Sequence, residues 1–318
     1  MDAARPGGSL LEAIGSTPLV RLRKLPAPDS AAVWVKLEYF NPTGSYKDRM
    51  ALNMIESAEA RGDLRPGMTV VEWTGGSTGS SLAMICAFKG YRLKVVTSDA
   101  FAREKIRTMQ AFGAEVIIVP SDGGKITPDL FGRMAEQAKS LAQEENTFYT
   151  AQMGNPDNAA GYEPMGREIA AQLDGPVDLF CGAVGSAGML MGAARGLRSR
   201  GSEARIIAFE PASAPFFSAG TAGPHRVEGI GLGYRVPLMD EALCPEVRPV
   251  EESAARATAR RLAGEEGIFA GTSSGLNVAG ALEIAGELGP GKTVVTVAVD
   301  SGLKYLSGDL FSPEAAQP

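Results

Sequence analysis

Few side chains in this chain can do chemistry. There is a single histidine, His225, beside Pro224 in a glycine-rich stretch. That excludes multi-histidine metal sites and leaves a Ser-His-Asp hydrolase without support. The sharpest candidate is Lys47, in the run Asn41-Pro42-Thr43-Gly44-Ser45-Tyr46-Lys47-Asp48-Arg49-Met50. Asn-Pro and Thr-Gly break the strand-like run Val33 to Leu37. Ser45 can cap a new helix, which Met50, Leu52, Met54 and Ile55 continue. Lys47 then falls in a helical first turn, where the backbone dipole is positive. A cation held there loses some preference for its charged form, and a readily neutralised amine is what a Schiff-base lysine needs. The plain alternative is a solvated lysine in a polar first turn.

The remaining candidates are hydroxyls and amides in glycine-rich loops. Thr74-Gly75-Gly76-Ser77-Thr78-Gly79 follows the strand-like Val70–Glu72 and opens a helix. Free amides at a helix N-terminus, with hydroxyls beside them, form an anion cradle, although a tight turn needing glycine reads the same way. A second loop, Gly182-Ala183-Val184-Gly185-Ser186-Ala187-Gly188-Met189, follows Val177–Cys181. It has no Lys-Ser/Thr after its last glycine and no Gly-x-Gly-x-x-Gly, so it matches neither a nucleotide P-loop nor a dinucleotide fingerprint. Gln152-Met153-Gly154-Asn155 starts another helix, Glu228-Gly229-Ile230-Gly231 is a flexible loop, and Gly271-Thr272-Ser273-Ser274-Gly275 caps an alanine-rich helix.

These loops need elements to hold them. Strand-like runs at Thr69–Glu72, Leu93–Thr97, Glu115–Val119, Val177–Gly182, Arg205–Phe209 and Thr293–Val299 alternate with helical patterns. The helical patterns include Ser77–Lys89, Arg103–Phe112, Pro128–Ala142, Asn158–Leu173, Ala187–Arg198, Glu251–Glu266 and Ser274–Leu288. The alternation predicts an α/β protein with open, mostly parallel twisted sheets flanked by helices. Ligands of such sheets bind beyond the C-terminal ends of strands, where both glycine loops fall. A length of 318 residues predicts two domains, at 1–150 and 151–318, each with one such loop.

Hydrophobic content of 44% and charged content of 21% place the chain among soluble globular proteins. A net charge of −6 with no basic cluster argues against nucleic acid. No apolar run approaches the roughly 20 residues of a membrane span, and Met1 to Gly8 shows no secretory pattern. Cys86, Cys181 and Cys244 lie far apart without a Cys-x-x-Cys pair, and read as reduced thiols of a cytoplasmic protein. The tail from Ser312 to Pro318 reads as frayed.

Taken whole, Asn-Pro-x-Gly-Ser-x-Lys-Asp-Arg resembles the cofactor-lysine motif of the cysteine synthase and cystathionine β-synthase family, pyridoxal phosphate (PLP) enzymes of fold type II. The resemblance runs from about Ile14 to Phe311 and implies two domains with PLP in the cleft between them. Segment 14–40, with Ile14-Gly15-Ser16-Thr17-Pro18, would cross to the other domain. Lys47 would hold PLP as a Schiff base and act as the catalytic base. Thr74, Gly75, Gly76 and Thr78 would bind the substrate α-carboxylate, joined by Gln152, with Gly229 closing the site. The family pattern Thr-Ser-Gly-Asn-Thr-Gly is changed here. Ser77 stands where the family's Asn meets the 3′-oxygen of the ring. The phosphate cup would be Gly185, Ser186, Ala187, Gly188 and Met189, where the family has Gly-Thr-Gly-Gly-Thr. Ala187 keeps an amide, Met189 removes a hydroxyl, and weaker phosphate binding is expected. Ser273 would face the pyridine nitrogen. A neutral hydroxyl there disfavours transamination and leaves loss of the α-proton with a β-leaving group accessible. Asp300-Ser301-Gly302-Leu303-Lys304-Tyr305-Leu306 resembles the family's terminal signature and would close the pocket. The implied function is β-replacement on an O-acetylserine-like amino acid, through an aminoacrylate, by sulfide or another small nucleophile. Elimination of the dehydratase or desulfhydrase kind and a non-catalytic partner-binding relative are the alternatives. A homodimer is implied, without regulatory or heme-binding additions.

Overall fold

The structure, a computed structural model, describes residues 8–124 and 126–312. The expectations for the extreme N-terminus and for the tail beyond Ser312 lie outside the described residues. Strands run in the order β1 (Leu19–Arg21), β2 (Ala32–Leu37), β3 (Thr69–Trp73), β4 (Arg92–Ser98), β5 (Glu115–Val119), β6 (Thr147–Tyr149), β7 (Leu179–Ala183), β8 (Arg205–Pro211), β9 (Glu246–Val250) and β10 (Thr293–Ala298). Helices are α1 (Lys47–Arg61), α2 (Ser77–Lys89), α3 (Arg103–Ala111), α4 (Pro128–Leu141), α5 (Pro156–Ala160), α6 (Glu163–Gln172), α7 (Gly188–Arg198), α8 (Phe216–Ala219), α9 (Glu252–Arg261) and α10 (Thr272–Leu288).

Two sheets result. The larger has the order β1-β2-β10-β7-β8-β9, the smaller β5-β4-β3-β6. β1 pairs antiparallel with β2, and the remaining pairings are parallel. The crossover helices cover both faces, which is why β3 and β7 are buried at every position. The segment carrying β1 and β2 belongs to the larger sheet, with strands that otherwise come from the C-terminal half.

α1 is shared between the sheets. Met50 and Met54 pack with Phe180, Val295 and Val297 of the larger sheet. Ala51, Ile55 and Ala58 pack with Val70, Leu93 and Val95 of the smaller. The helix that begins with Lys47 therefore lies between two cores. Its start is stitched to the end of β10, because the Tyr46 amide donates to the Val299 carbonyl at 3.0 Å. Arg49 Nε lies 2.7 Å from Glu38 Oε2, and Arg49 Nη2 and Lys36 Nζ each lie 2.7 Å from Glu168 Oε2. Thr17 Oγ1 donates to Glu38 at 2.6 Å, a structural use of that segment. Removing one member of such a buried set leaves its partner's charge uncompensated, at about 3–5 kcal/mol.

One element departs from its pattern. The spacing over Asn158–Leu173 reads as one helix, but the structure divides it into α5 and α6. Pro164 is confined to a first turn, and Gly161 lies where a Cβ would stand 2.8 Å from Met50 Cα. The chain breaks there because α1 passes close by. β6 and β9 carry little signal in sequence: the first is three residues long, and the second holds Pro249 at a sheet edge.

Candidate active site

One cavity lies beyond the C-terminal ends of β3, β7 and β10 and draws on both sheets. Among the residues singled out by sequence, Lys47, Thr74, Gly75, Gly76, Ser77, Thr78, Gln152, Ser186, Gly229 and Ser273 line it. Gly185, Ala187, Gly188 and Met189 flank Ser186 without lining the cavity. Met189 is buried and packs beneath Gly182, where an added Cβ would lie 2.8 Å from its Cε.

Lys47 is the first residue of α1, as its sequence spacing predicts, with Ser45 Oγ accepting from its amide at 3.2 Å. The residue is half-buried because part of its stem faces the cavity, while the amine lies deep and 4.9 Å from the Tyr46 ring centre. Burial lowers the amine from its ordinary 10.5 to about 8, and the nearby Glu72 and Asp300 carboxylates only partly oppose this. A substantial neutral fraction near physiological pH follows.

The first glycine loop turns from β3 into α2. Gly76 has φ +131°, a conformation that favours glycine. Its amide donates to Thr74 Oγ1 at 2.9 Å, whereas the amides of Gly75, Ser77 and Thr78 donate to no acceptor among the described residues. Gln152 braces the loop: Thr78 Oγ1 donates to its Oε1 at 2.7 Å, and its Nε2 donates to the Trp73 carbonyl at 2.8 Å. One Gln152 N–H stays uncommitted. Beneath sits Glu72, fully buried, accepting from Thr150 Oγ1 at 2.6 Å and from the amides of Gln152 and Trp73 at 2.9 Å. Burial pushes its carboxyl up to about 7 despite these bonds.

The second loop turns from β7 into α7. Ala187 takes the left-handed conformation, φ 65°, and is the N-cap of α7. The amides of Gly185, Ser186 and Ala187 donate to no acceptor among the described residues, and Asn158 Oδ1, buried beside Gly188, has no partner. Asn277 fixes the base of the turn, accepting from the Ala183 amide at 2.7 Å and donating to the Val297 carbonyl at 2.9 Å. Ser273, buried in the first turn of α10, faces the same cavity.

The far wall is more charged than the motifs suggest. Lys105 of α3 is 3% exposed and pairs with Glu228. Tyr305 donates to Asp300 Oδ2 at 2.9 Å, Ser77 Oγ lies 3.5 Å from the same oxygen, and Asp300 Oδ1 has no partner. His225, given no role by sequence, lines the cavity, accepts from the Val227 amide at Nδ1 and donates from Nε2 to the Gly231 carbonyl at 3.0 Å. Arg235 is exposed and paired with Glu241. Lys105 is invisible in sequence, lying among Arg103, Glu104 and Arg107 in an amphipathic helix. Glu72 carries a usable signal, a carboxylate inside the apolar run Val70-Val71-Glu72-Trp73.

A buried amine of lowered affinity for protons, between two strand-to-helix turns rich in unclaimed amides, defines an α/β enzyme site built around a lysine and a phosphate-bearing group. Residues 10–300 match the family model described as pyridoxal-phosphate dependent enzyme, and the chain belongs to that family. It is 38% identical over 312 residues to a cysteine synthase of Staphylococcus aureus (strain Mu50), covering 98% of this chain and 99% of that one. Over 309 residues it is 38% identical to O-ureido-L-serine synthase of Streptomyces lavendulae, covering 95% and 92%. The crystal structure of a cysteine synthase from Entamoeba histolytica superposes with a TM-score of 0.88 at 34% identity, covering 98% and 92%. The fold is thus that of the two-domain fold type II PLP enzymes. The donor set fits the cofactor. Three free amides and the Ser186 hydroxyl at the start of α7 suit a phosphate dianion, and the Lys47 amine suits its aldehyde.

Proposed function

We propose that this chain performs β-replacement on an activated serine such as O-acetylserine, with sulfide or another small thiol as the nucleophile. The observation that carries this reading is the Lys47 amine, held deep between the two glycine loops and lowered to about 8. The curated relatives and the solved neighbour, named for cysteine and O-ureidoserine synthesis, support it. When bound, PLP supplies the electron sink for the charge left at the substrate Cα.

The protein's own groups do the rest. The free amides of Gly75, Ser77 and Thr78, with Thr74 and Gln152, hold the substrate α-carboxylate at the start of α2. The free amides of Gly185, Ser186 and Ala187 and the Ser186 hydroxyl would hold the phosphate, joined by the Gly188 amide on release from Ser186 Oγ, from which it lies 3.4 Å. Met189 contributes through backbone alone. The Ser273 hydroxyl, buried at the cavity, would be the partner of the ring nitrogen and, being neutral, would leave it uncharged. Ser77, which lines the cavity, would meet the ring's 3′-oxygen with a shorter reach than an amide. Lys47 takes the proton from Cα, the β-carbon–oxygen bond breaks, the nucleophile bonds to that carbon, and Lys47 returns the proton. Gly229, at φ +84° in a loop with Gly231 and Gly233, lines the cavity and would close it over the substrate and exclude water.

A homodimer and a cytoplasmic location complete the reading. Exposed Phe40, Leu303 and Leu306 support the first, and three unpaired cysteines the second. Among the described residues no helix is long and apolar enough to cross a membrane.

The test is product analysis joined to trapping. With O-acetylserine and sulfide, cysteine and acetate should form one for one, and borohydride reduction followed by peptide mapping should mark Lys47. Pyruvate and ammonia at the same rate with and without sulfide would replace this reading with elimination. A purified protein that never takes up PLP would end both.

A further inference from the structure

We infer that the cavity contains a second anion subsite, with Lys105 as its cation and the Glu228 carboxylate as a displaceable occupant. One of the two reacting molecules would then carry a negative charge beyond its α-carboxylate. The inference rests on the β-replacement reading and adds a substrate class to it.

Three observations carry it. Lys105 and Lys47 are the two lysines lining the cavity, no arginine lines it among the described residues, and Lys47 is committed to the reacting carbon. Lys105 is also built into the site. Its stem crosses directly over Gly76, where an added Cβ would stand 2.5 Å from Lys105 Cδ and 2.7 Å from its Cβ. Its ammonium lies 3.4 Å from the Tyr305 hydroxyl and 4.8 Å from the centre of that ring. A side chain so enclosed cannot leave for solvent, so its charge needs a partner in place.

The partner is the more exposed member. Glu228 is 20% exposed against 3% for Lys105. It lies outside every helix and strand, so its carboxylate can swing aside by a change of rotamer without disturbing either. Burial works against the Lys105 charge, but Glu228 and Asp300 outweigh it, and the ammonium stays charged. An incoming anion that took the place of Glu228 would keep that balance. It would also lie against the first glycine loop, next to the carboxylate position proposed above. A phosphate or sulfate ester on the donor and an anionic sulfur nucleophile share this chemistry.

The experiment uses the purified protein showing its cofactor band, so that the phosphate cup is already filled. Inorganic phosphate and thiosulfate are titrated separately, read by tryptophan fluorescence, since Trp73 lines the cavity. Lys105→Gln should weaken binding of at least one anion by about tenfold or more, Lys105→Arg should retain it, and Glu228→Gln should tighten it several-fold by removing the competitor. The opposite signs are diagnostic, because a purely structural ion pair would lose stability in both variants without tightening anything. Steady-state KM values then locate the charge. A Lys105→Gln defect confined to O-phosphoserine against O-acetylserine places it on the donor. A defect confined to thiosulfate against sulfide places it on the nucleophile. Anion binding that is absent in the parent, or unchanged in Lys105→Gln and Glu228→Gln, overturns the subsite. If the protein is coloured and active with serine donors, that result leaves β-replacement standing, whereas a colourless or inert protein fails the functional reading itself.

Discussion

The two glycine loops turn the same corner, from the end of a parallel strand into a helix, but different things press on them. In the first loop glycine makes room for side chains. An added Cβ at Gly75 would meet the Phe101 ring at 3.0 Å, at Gly76 the Lys105 stem, and at Gly79 the Met109 sulfur at 2.3 Å. At Gly185 and Gly188 of the second loop glycine makes room for fixed groups. A Cβ at Gly185 would stand 2.3 Å from the Gly229 carbonyl oxygen, and at Gly188 2.0 Å from Asn158 Oδ1, whose amide is held by the Gln152 carbonyl. Side chains can change rotamer and a backbone carbonyl cannot. The first loop is therefore an adjustable wall and the second a fixed one. That suits a substrate that varies among relatives and a phosphate that does not.

The largest effect lies where the two loops meet. Lys47→Ala should reduce turnover by about 10³-fold or more, because it removes the proposed base, which faces both. It should also abolish borohydride trapping, while the circular-dichroism melt stays close to the parent. Full activity in that variant would remove the centre of the proposal.

The contrast itself is put at risk by paired glycine substitutions. Gly185→Ala should weaken PLP retention by about tenfold or more, since the backbone of the covering loop must move to admit the methyl group. Gly75→Ala meets only the rim of a ring and should leave PLP retention alone while raising the KM for the serine donor. Equilibrium dialysis of the cofactor and steady-state kinetics separate the two. Equal cofactor loss in both variants would mean that the loops do not differ in this way.

Glu72 lies beneath the adjustable loop and gives a pH test. Its carboxyl is raised from 4.5 to about 7, so between those values the native state binds more protons than the unfolded chain. Stability from this group is full below pH 4.5 and is lost as pH rises through 7. Glu72→Gln should flatten that fall, measured as urea midpoints across the window. A parent slope that persists in the variant would assign the dependence to other groups.

These differences mark what could be read from sequence. Lys47 at the start of a helix, both loops and the alternation of strand and helix were legible, because each depends on local backbone chemistry: a cap, a turn, a period; Ser273 stood out from its helix start only through the family resemblance. The Asn158–Leu173 helix was misread because the break is imposed by α1, packed against Gly161 from elsewhere in the chain. Lys105 stayed hidden for a related reason. Nothing in its own helix distinguishes it from Arg103 or Arg107, and only the fold lays it across Gly76. The pairing of β1 and β2 within the larger sheet agrees with the crossing of segment 14–40 that the family resemblance implies, which no local pattern in that segment shows.

The finest test of the fixed loop is Ala187→Gly. Ala187 holds φ 65°, where a side chain costs about 1–2 kcal/mol relative to the right-handed region. Glycine removes that strain but gives the unfolded chain about 0.4–1 kcal/mol of additional conformational freedom. The two nearly cancel, so the melting temperature should stay level or rise slightly, and PLP retention should remain within about threefold. If the second loop is held by the Gly229 carbonyl and Asn158, the lost methyl has little to do with its shape. A tenfold loss of cofactor would show instead that the buried Ala187 methyl is itself a support. The second loop would then depend on side-chain packing as the first does, and the contrast between them would have to be drawn from their ligands alone.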